Sequence, residues 1–241
     1  MSAAVLGADI ASKSSLLTGL QAYYKLREAS GTRFDSTINH FDLISHGVGQ
    51  GTGVNGTTDE CATFVAASSQ YLSVPSVGNL LTFTSAFTIA GWYKANGTTQ
   101  RGGLVGNLNG QTNFDFEQRG VSNPDNINAT LDNFTSFGTL TALSPSVWAH
   151  WGLVFDSTQV GNVNRLKLYK NGALQTLTFT GTVGSVLIAG VLDTWLGQDS
   201  TGFLDGSMQG WGMWSTALSA AQINNLYNGG TVVDYPFTGV P

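Results

Sequence analysis

The sequence has few charged residues and only one cysteine. Lysine, arginine, aspartate and glutamate together make up 10% of its 241 residues, against roughly 25% in an average soluble protein. The single cysteine, Cys61, excludes an internal disulfide and cannot form a cysteine-based metal site alone. It lies in an apolar stretch, which predicts a buried strand position. The presence of only one cysteine excludes a small scaffold that is stabilised by internal disulfides.

Basic residues are the scarcer of the charged types. Ten of them stand against fifteen acidic residues, giving a net charge of −5 without a cluster of lysine or arginine, so the phosphate backbone of a nucleic acid would be repelled. Residues 1–10 lack a basic region and are interrupted by Asp9, which makes a poor secretory signal. No apolar run approaches the 18 residues of a membrane span. We expect a soluble protein that binds neither nucleic acid nor membrane.

Glycine and hydrophobic residues, by contrast, are abundant. The 31 glycines and 41% hydrophobic residues are typical of many short strands joined by tight turns. Asn171-Gly172 predicts a hairpin, because a type I′ turn needs positive φ at both central residues. Ser219 and Gln222 form a capping box that predicts one short helix near the C-terminus. No repeat or linker divides residues 20–230, so we predict one domain at 19–241 preceded by an arm at 1–18.

Several segments carry the motifs of one known family, in that family's order. They are residues 20–26 (LQAYYKL), 86–93 (AFTIAGWY), 148–156 (WAHWGLVFD), 168–172 (LYKNG) and 203–219 (FLDGSMQGWGMWSTALS). Through these motifs the chain resembles the laminin-G-like jelly-roll domains of the concanavalin A-like superfamily. The resemblance implies an all-β fold: a two-sheet antiparallel jelly-roll sandwich with one short C-terminal helix.

The closing segment departs from the family pattern where an acidic pair is expected. Gln209 and Gly210 stand there, whereas in many relatives an acid helps to hold a structural calcium beside the loop after the first strand. Asp35 and Asp205 remain as oxygen donors, but calcium needs several oxygen ligands, usually including carboxylates. We therefore predict no metal site and no cofactor.

The best candidate for chemistry is the segment at residues 113–119, NFDFEQR. Strand alternation places Asp115, Glu117 and Arg119 on one face, with the two carboxylates roughly 7 Å apart, as in a glycosidase pair. Laminarinase-type glucanases of this fold carry E-x-D-x-x-E, whereas here the order is D-x-E and the third acid is missing. Arg119 would also lower neighbouring carboxyl pKa values, the wrong direction for a general acid. We predict a solvated, charge-paired face and no enzyme.

Six tryptophans suggest sugar binding, but five of them fall within alternating strand patterns. For these five we predict core or half-buried positions: Trp92, Trp148, Trp151, Trp211 and Trp214. Trp195, close to a loop, is the tryptophan candidate for a surface contact. We predict no catalytic residue. The predicted ligand-binding residues are Trp195, Asp115, Glu117 and Arg119.

Three functions from different classes stay open. The first is a bacteriophage virion component, either a capsid decoration or a tail-associated protein, because stand-alone domains of the resembled family occur among virion proteins. Its partners would be other virion proteins or its own copies in a homo-oligomer, and its location the virion. The second is a lectin-like module that binds a cell-surface glycan. The third is a glycoside hydrolase, which the incomplete acid set disfavours. Fold alone does not decide among them.

Overall fold

The protein has two antiparallel sheets, and the first contains the strands of the family-like segments together with most of the tryptophans. A computed structural model describes residues 15–75, 80, 82–106, 114–120, 126–131, 136–187, 193–199 and 202–238. The strands of the first sheet are β1 (Leu20–Tyr24), β3 (Gly49–Gly51), β4 (Cys61–Phe64), β6 (Ala86–Ala95), β11 (Ala149–Asp156), β12 (Leu166–Lys170), β13 (Ala173–Leu174) and β16 (Gly206–Trp214). Their order is β13-β12-β11-β6-β16-β4-β3, and β1 also pairs with β16.

The second sheet also has eight strands within the described residues. They are β2 (Ile44–His46), β5 (Tyr71–Val74), β7 (Arg101–Gly106), β8 (Phe114–Arg119), β9 (Asn126–Leu131), β10 (Ser136–Thr141), β14 (Thr178–Thr180) and β15 (Thr194–Leu196). Their order is β14-β10-β9-β8-β7-β15-β5-β2. Some neighbouring strands are consecutive in the chain, as in β7 to β10 and β11 to β13, whereas others, such as β4 and β16, are far apart in sequence, so the chain also crosses between the sheets. This is the predicted two-sheet jelly-roll sandwich.

The main core lies between the two sheets and is rich in aromatic rings. Phe87 of the first sheet stacks on Phe114 of the second with ring centroids 4.9 Å apart. Trp211 is fully buried in this core, and its Nε1 donates to the carbonyl of Trp92 at 2.9 Å. Cys61 is fully buried, as predicted. The predicted positions of five tryptophans are confirmed, four buried and one half-buried: Trp92, Trp151, Trp211 and Trp214, and Trp148.

One turn and one helix cap, both predicted from local chemistry, are confirmed. Asn171 and Gly172 have φ of 51° and 77° between β12 and β13. In helix α2 (Ala220–Tyr227) the hydroxyl of Ser219 accepts from the backbone N–H of Gln222, and the Gln222 side chain accepts from the N–H of Ser219. The other helical segments are a turn at residues 15–17, 3-10 turns at Ala66–Ser68 and Asn228–Gly230, and α1 (Asn162–Arg165). None of the described helices has the length and hydropathy of a membrane span.

A second, smaller core covers the outer side of the first sheet. It joins Trp214 to residues of α2 and of the C-terminal segment, such as Phe237. Leu16 lies within the predicted arm at 1–18, but its side chain is fully buried in this core. The carbonyl of Leu16 accepts a 2.7 Å hydrogen bond from Trp214 Nε1. The end of the predicted arm therefore belongs to the packed domain. Residues 1–14 lie outside the described residues, and for them the arm stays a prediction.

Candidate functional site

The outer face of the second sheet, opposite the main core, carries the polar residues that the sequence singles out. Phe116 points into the core, so alternation turns its neighbours Asp115 and Glu117 to the outer face. Direct pairing joins Asp115 to Gly106 of β7, and Gly106 to Trp195 of β15. Paired residues share one face of a sheet. Trp195, which is half-buried, therefore lies on the same face as Asp115.

Three carboxylates meet on this face, and we call Asp115, Glu117 and Asp199 the acid cluster. One oxygen from each lies within 4.8 Å of the others. Nε of Arg101 donates to Glu117 Oε2 at 3.0 Å and to Asp199 Oδ2 at 2.8 Å, while Nη1 of Arg119 lies 3.6 Å from Glu117 Oε1. The structure thus brings together three of the predicted residues and adds Arg101 and Asp199.

Asp199 reaches the acid cluster from a turn that follows β15. Its Oδ1 accepts from the N–H of Gly202 at 2.7 Å, and its own N–H donates to the Gly202 carbonyl at 3.0 Å. A Cβ at Gly202 would lie 2.4 Å from the carbonyl oxygen of Arg101. The absence of a side chain at Gly202 therefore lets this turn lie directly on β7, where it holds the Asp199 carboxylate against Arg101.

Our prediction that this face is solvated is wrong. Asp115 and Glu117 are fully buried, and Asp199 is 1% exposed. Burial raises the pKa of Glu117 to about 7, outweighing the opposing charges of Arg101 and Arg119. Burial, with the charges of Glu117 and Asp199, also raises the pKa of Asp115 well above its usual range. Arg119 has the expected electrostatic sign, but desolvation is the larger effect.

The third acid that the linear motif lacks is supplied by the fold. The linear motif covers only β8, whereas Asp199 comes from a separate part of the chain, after β15. Arg101 was missed as well, because a single arginine at the start of a strand gives no signal of its own. All three carboxylates are nevertheless buried and Arg101 binds two of them. The cluster as it stands is closed to a substrate.

An open groove of about 430 Å³ lies beside the acid cluster, and we call it the Arg101 groove. Arg101 belongs to both places, since its Nε is fixed by the cluster and its side chain lines the groove. The side chain of Arg101 is 19% exposed. The lining of the groove includes Ala66, Gln100, Arg101, Phe203 and Asp205.

Aromatic rings continue from the Arg101 groove towards the edge of the second sheet. The ring centroid of Phe203 lies 6.1 Å from that of Tyr71, and Tyr71 stacks on His46 at 3.9 Å with an interplanar angle of 7°. His46 Nε2 lies 3.0 Å from Ser73 Oγ, which fixes the imidazole. We call Phe203, Tyr71 and His46 the aromatic run. The aromatic run connects the wall of the groove, at Phe203, with the edge strand β2, at His46.

Gln209 and Asp35 belong to the region where the resembled family is expected to hold a structural calcium. In this chain both side chains accept hydrogen bonds from the protein itself. Oε1 of Gln209 accepts from the N–H of Val54 at 2.8 Å, and the adjoining Gly210 has φ +61° at the bulge of β16. Both oxygens of Asp35 accept hydrogen bonds from the loop that follows it. In the described part of the chain, Asp35 and Asp205 belong to no set of three acidic, histidine or cysteine groups close enough to share one ion.

A laminin-G family model, described as the concanavalin A-like lectin/glucanases superfamily, matches residues 66–224, more than half of the chain. The chain belongs to this superfamily. No curated protein sequence matches it.

Solved structures with the same fold include receptor-binding parts of botulinum neurotoxins. A type C structure, described with two ganglioside molecules in cell entry, has a TM-score of 0.65 and 11% identity over 89% of this chain and 52% of its own. The serotype D ligand-binding domain in complex with N-acetylneuraminic acid has a TM-score of 0.63 and 12% identity over 90% and 52%. The chain thus spans about half the length of these structures, and at such identity the likeness concerns the fold alone.

Proposed function

We propose that this superfamily member is a non-enzymatic glycan-binding protein whose ligand lies in the Arg101 groove. The observation that carries the proposal is the composition of the groove wall, which combines the aromatic ring of Phe203 with the polar side chains of Gln100, Arg101 and Asp205. A sugar ring has an apolar face that packs on an aromatic ring and hydroxyls that pair with amide and charged groups. The volume of about 430 Å³ lies within the usual range of small-ligand sites.

Preorganisation of Arg101 supports this proposal. Its Nε is held by Glu117 and Asp199 at 3.0 and 2.8 Å, so little side-chain freedom remains to be lost when a ligand binds. The charges of Glu117 and Asp199 raise the pKa of Arg101 more than burial lowers it, which keeps the guanidinium charged. The neurotoxins that share the fold are described with gangliosides and N-acetylneuraminic acid, and these descriptions agree with a glycan ligand.

Phe203→Ala should weaken glycan binding about fivefold or more. The substitution removes the aromatic face of the groove without touching the acid cluster, and stacking on such a ring contributes about 1 kcal/mol or more. The measurement is titration calorimetry with the best oligosaccharides from a panel of neutral and acidic glycans. Phe34→Ala is the matched control, because Phe34 is 59% exposed and lies outside the groove lining.

Other outcomes of the same experiment decide against the proposal. Loss of binding in Trp195→Ala but not in Phe203→Ala would move the ligand onto the outer face of the sheet. Release of reducing sugar that disappears in Glu117→Gln would show a glycosidase, which the burial of the acid cluster opposes. Absence of binding to the whole panel would leave the glycan hypothesis without support.

The virion hypothesis stays a prediction with its own test. Attachment to a bacteriophage particle, as a capsid decoration or a tail-associated protein, is compatible with glycan binding, because a particle component can also contact a cell surface. Co-purification with particles and the oligomeric state of the isolated protein would decide it.

A further inference from the structure

Asp115 is the one carboxylate of the acid cluster that forms no ion pair with an arginine of the described residues. The three carboxylates face two guanidinium groups, and these bind Glu117 and Asp199. Asp115 is fully buried, and neither of its carboxylate oxygens has a hydrogen-bond partner among the residues that the structure describes. An unpaired buried carboxylate is costly. The charge of Asp115 must therefore be removed by a proton or offset by a group that is not part of the polypeptide.

The room around Asp115 is built from glycines. A Cβ at Gly106 would lie 2.5 Å from Asp115 Oδ1, and one at Gly103 would lie 3.2 Å from the same atom. The carboxylate thus lies over the backbone of β7, in space that no other residue type would leave open. Glycine at both positions places the oxygens of Asp115 close to those of Glu117 and Asp199.

The surroundings of the acid cluster are rich in acceptors and poor in donors. Besides the two oxygens of Asp115, the buried Oδ1 of Asn128 and Oε1 of Gln198 have no hydrogen-bond partner within the described ranges. Asn128 stands directly opposite Glu117 on β9, and Gln198 precedes Asp199. A proton on Asp115 would provide a single donor and leave the other acceptors unpaired. A cation with several ligand positions satisfies such a site better.

We infer that the acid cluster binds a hard divalent cation, calcium above all, through the carboxylates of Asp115, Glu117 and Asp199. Ligand oxygens of one calcium ion lie 2.3–2.6 Å from it, so two of them are at most about 5 Å apart. The separation of 4.8 Å or less in the cluster meets this limit. The donors are all oxygens, which favours calcium or magnesium over zinc or copper. This site is distinct from the place near Asp35 and Gln209, and it does not depend on the proposed function.

The test is calcium binding by the whole protein after treatment with a chelator, at pH 7.5 and physiological salt. We expect one ion per chain in calorimetry and a rise in melting temperature of roughly 5 °C or more at calcium 100-fold above its dissociation constant. Asp115→Asn should abolish both responses. The variant should still fold, because Asp115 makes no hydrogen bond that the amide would lose.

Asp205→Asn is the matched control, since its carboxylate accepts from Asn96 away from the cluster, and it should keep the full calcium response. Three outcomes would overturn the inference: no response of the wild type to calcium, magnesium or manganese; an unchanged response in Asp115→Asn; or a response lost in Asp205→Asn alone, which would place the ion at the loop near Asp35.

Discussion

Glu117→Gln should gain stability relative to the wild type as the pH rises from about 4.5 to about 7. In the unfolded chain the carboxyl loses its proton near its ordinary pKa of 4.5, whereas burial keeps it protonated in the folded protein up to a pKa of about 7. The folded state binds the extra proton between these values, so the free energy of unfolding falls as the pH rises. The glutamine side chain does not titrate, so the free energy of unfolding of the variant does not fall for this reason. The relative gain is about 3 kcal/mol, from about 1.4 kcal/mol per pH unit.

The difference between variant and wild type is the quantity to measure, because another buried group has the opposite pH dependence. Burial lowers the pKa of His150 to about 3. Unfolding is then favoured as the pH falls below the ordinary value of about 6.5, which masks part of the Glu117 effect in the wild type. His150 is unchanged in the variant and cancels from the difference.

Urea denaturation at intervals between pH 4 and pH 8 gives this difference directly. EDTA should be present, because a bound cation would keep Glu117 ionised and remove the effect. Glu60→Gln is the control, since it removes a half-exposed carboxylate that is paired with Arg27 outside the acid cluster, and this variant should keep the pH dependence that Glu117 causes in the wild type. A constant difference for Glu117→Gln would mean that this carboxyl has the same pKa in the folded and the unfolded protein, and it would contradict the prediction.

The fold was predictable where local chemistry decides the conformation. The turn at Asn171-Gly172 and the cap at Ser219 each depend on residues within three positions of one another, so the sequence contains the whole cause. The same holds for the alternation in β8, which sets Phe116 against Asp115. These features needed no knowledge of which strands are neighbours.

Features that depend on strand order were not predictable. The strands β2, β3 and β10 carry no clear alternation and were missed, because their stability comes from the strands they pair with. In the site, the meeting of Asp199 with Glu117 requires β15 to lie beside β7. The same pairing of β15 with β7 helps to bury Asp115, Glu117 and Asp199. The prediction of a solvated face was wrong because it considered β8 alone.

Gly91→Ala should lower the free energy of unfolding by about 3 kcal/mol, the upper end of the usual cost of overpacking. Gly91 lies in β6 directly beneath the indole of Trp211, and a Cβ there would fall 2.4 Å from Cδ2 and 2.5 Å from Cγ of that ring. The ring has nowhere to move, because Trp211 is fully buried and its Nε1 is held by the carbonyl of Trp92 at 2.9 Å.

A double-mutant cycle separates this steric cause from a general intolerance of β6 to substitution. Trp211→Ala alone should cost about 3–5 kcal/mol through the cavity it leaves, but in that background Gly91→Ala should cost less than about 1 kcal/mol, because the clashing ring is gone. Gly49→Ala is the control: no atom lies within 4 Å of its would-be Cβ, so its effect should be small. Additive losses from Gly91→Ala and Trp211→Ala would show that the glycine is required for another reason than the indole above it.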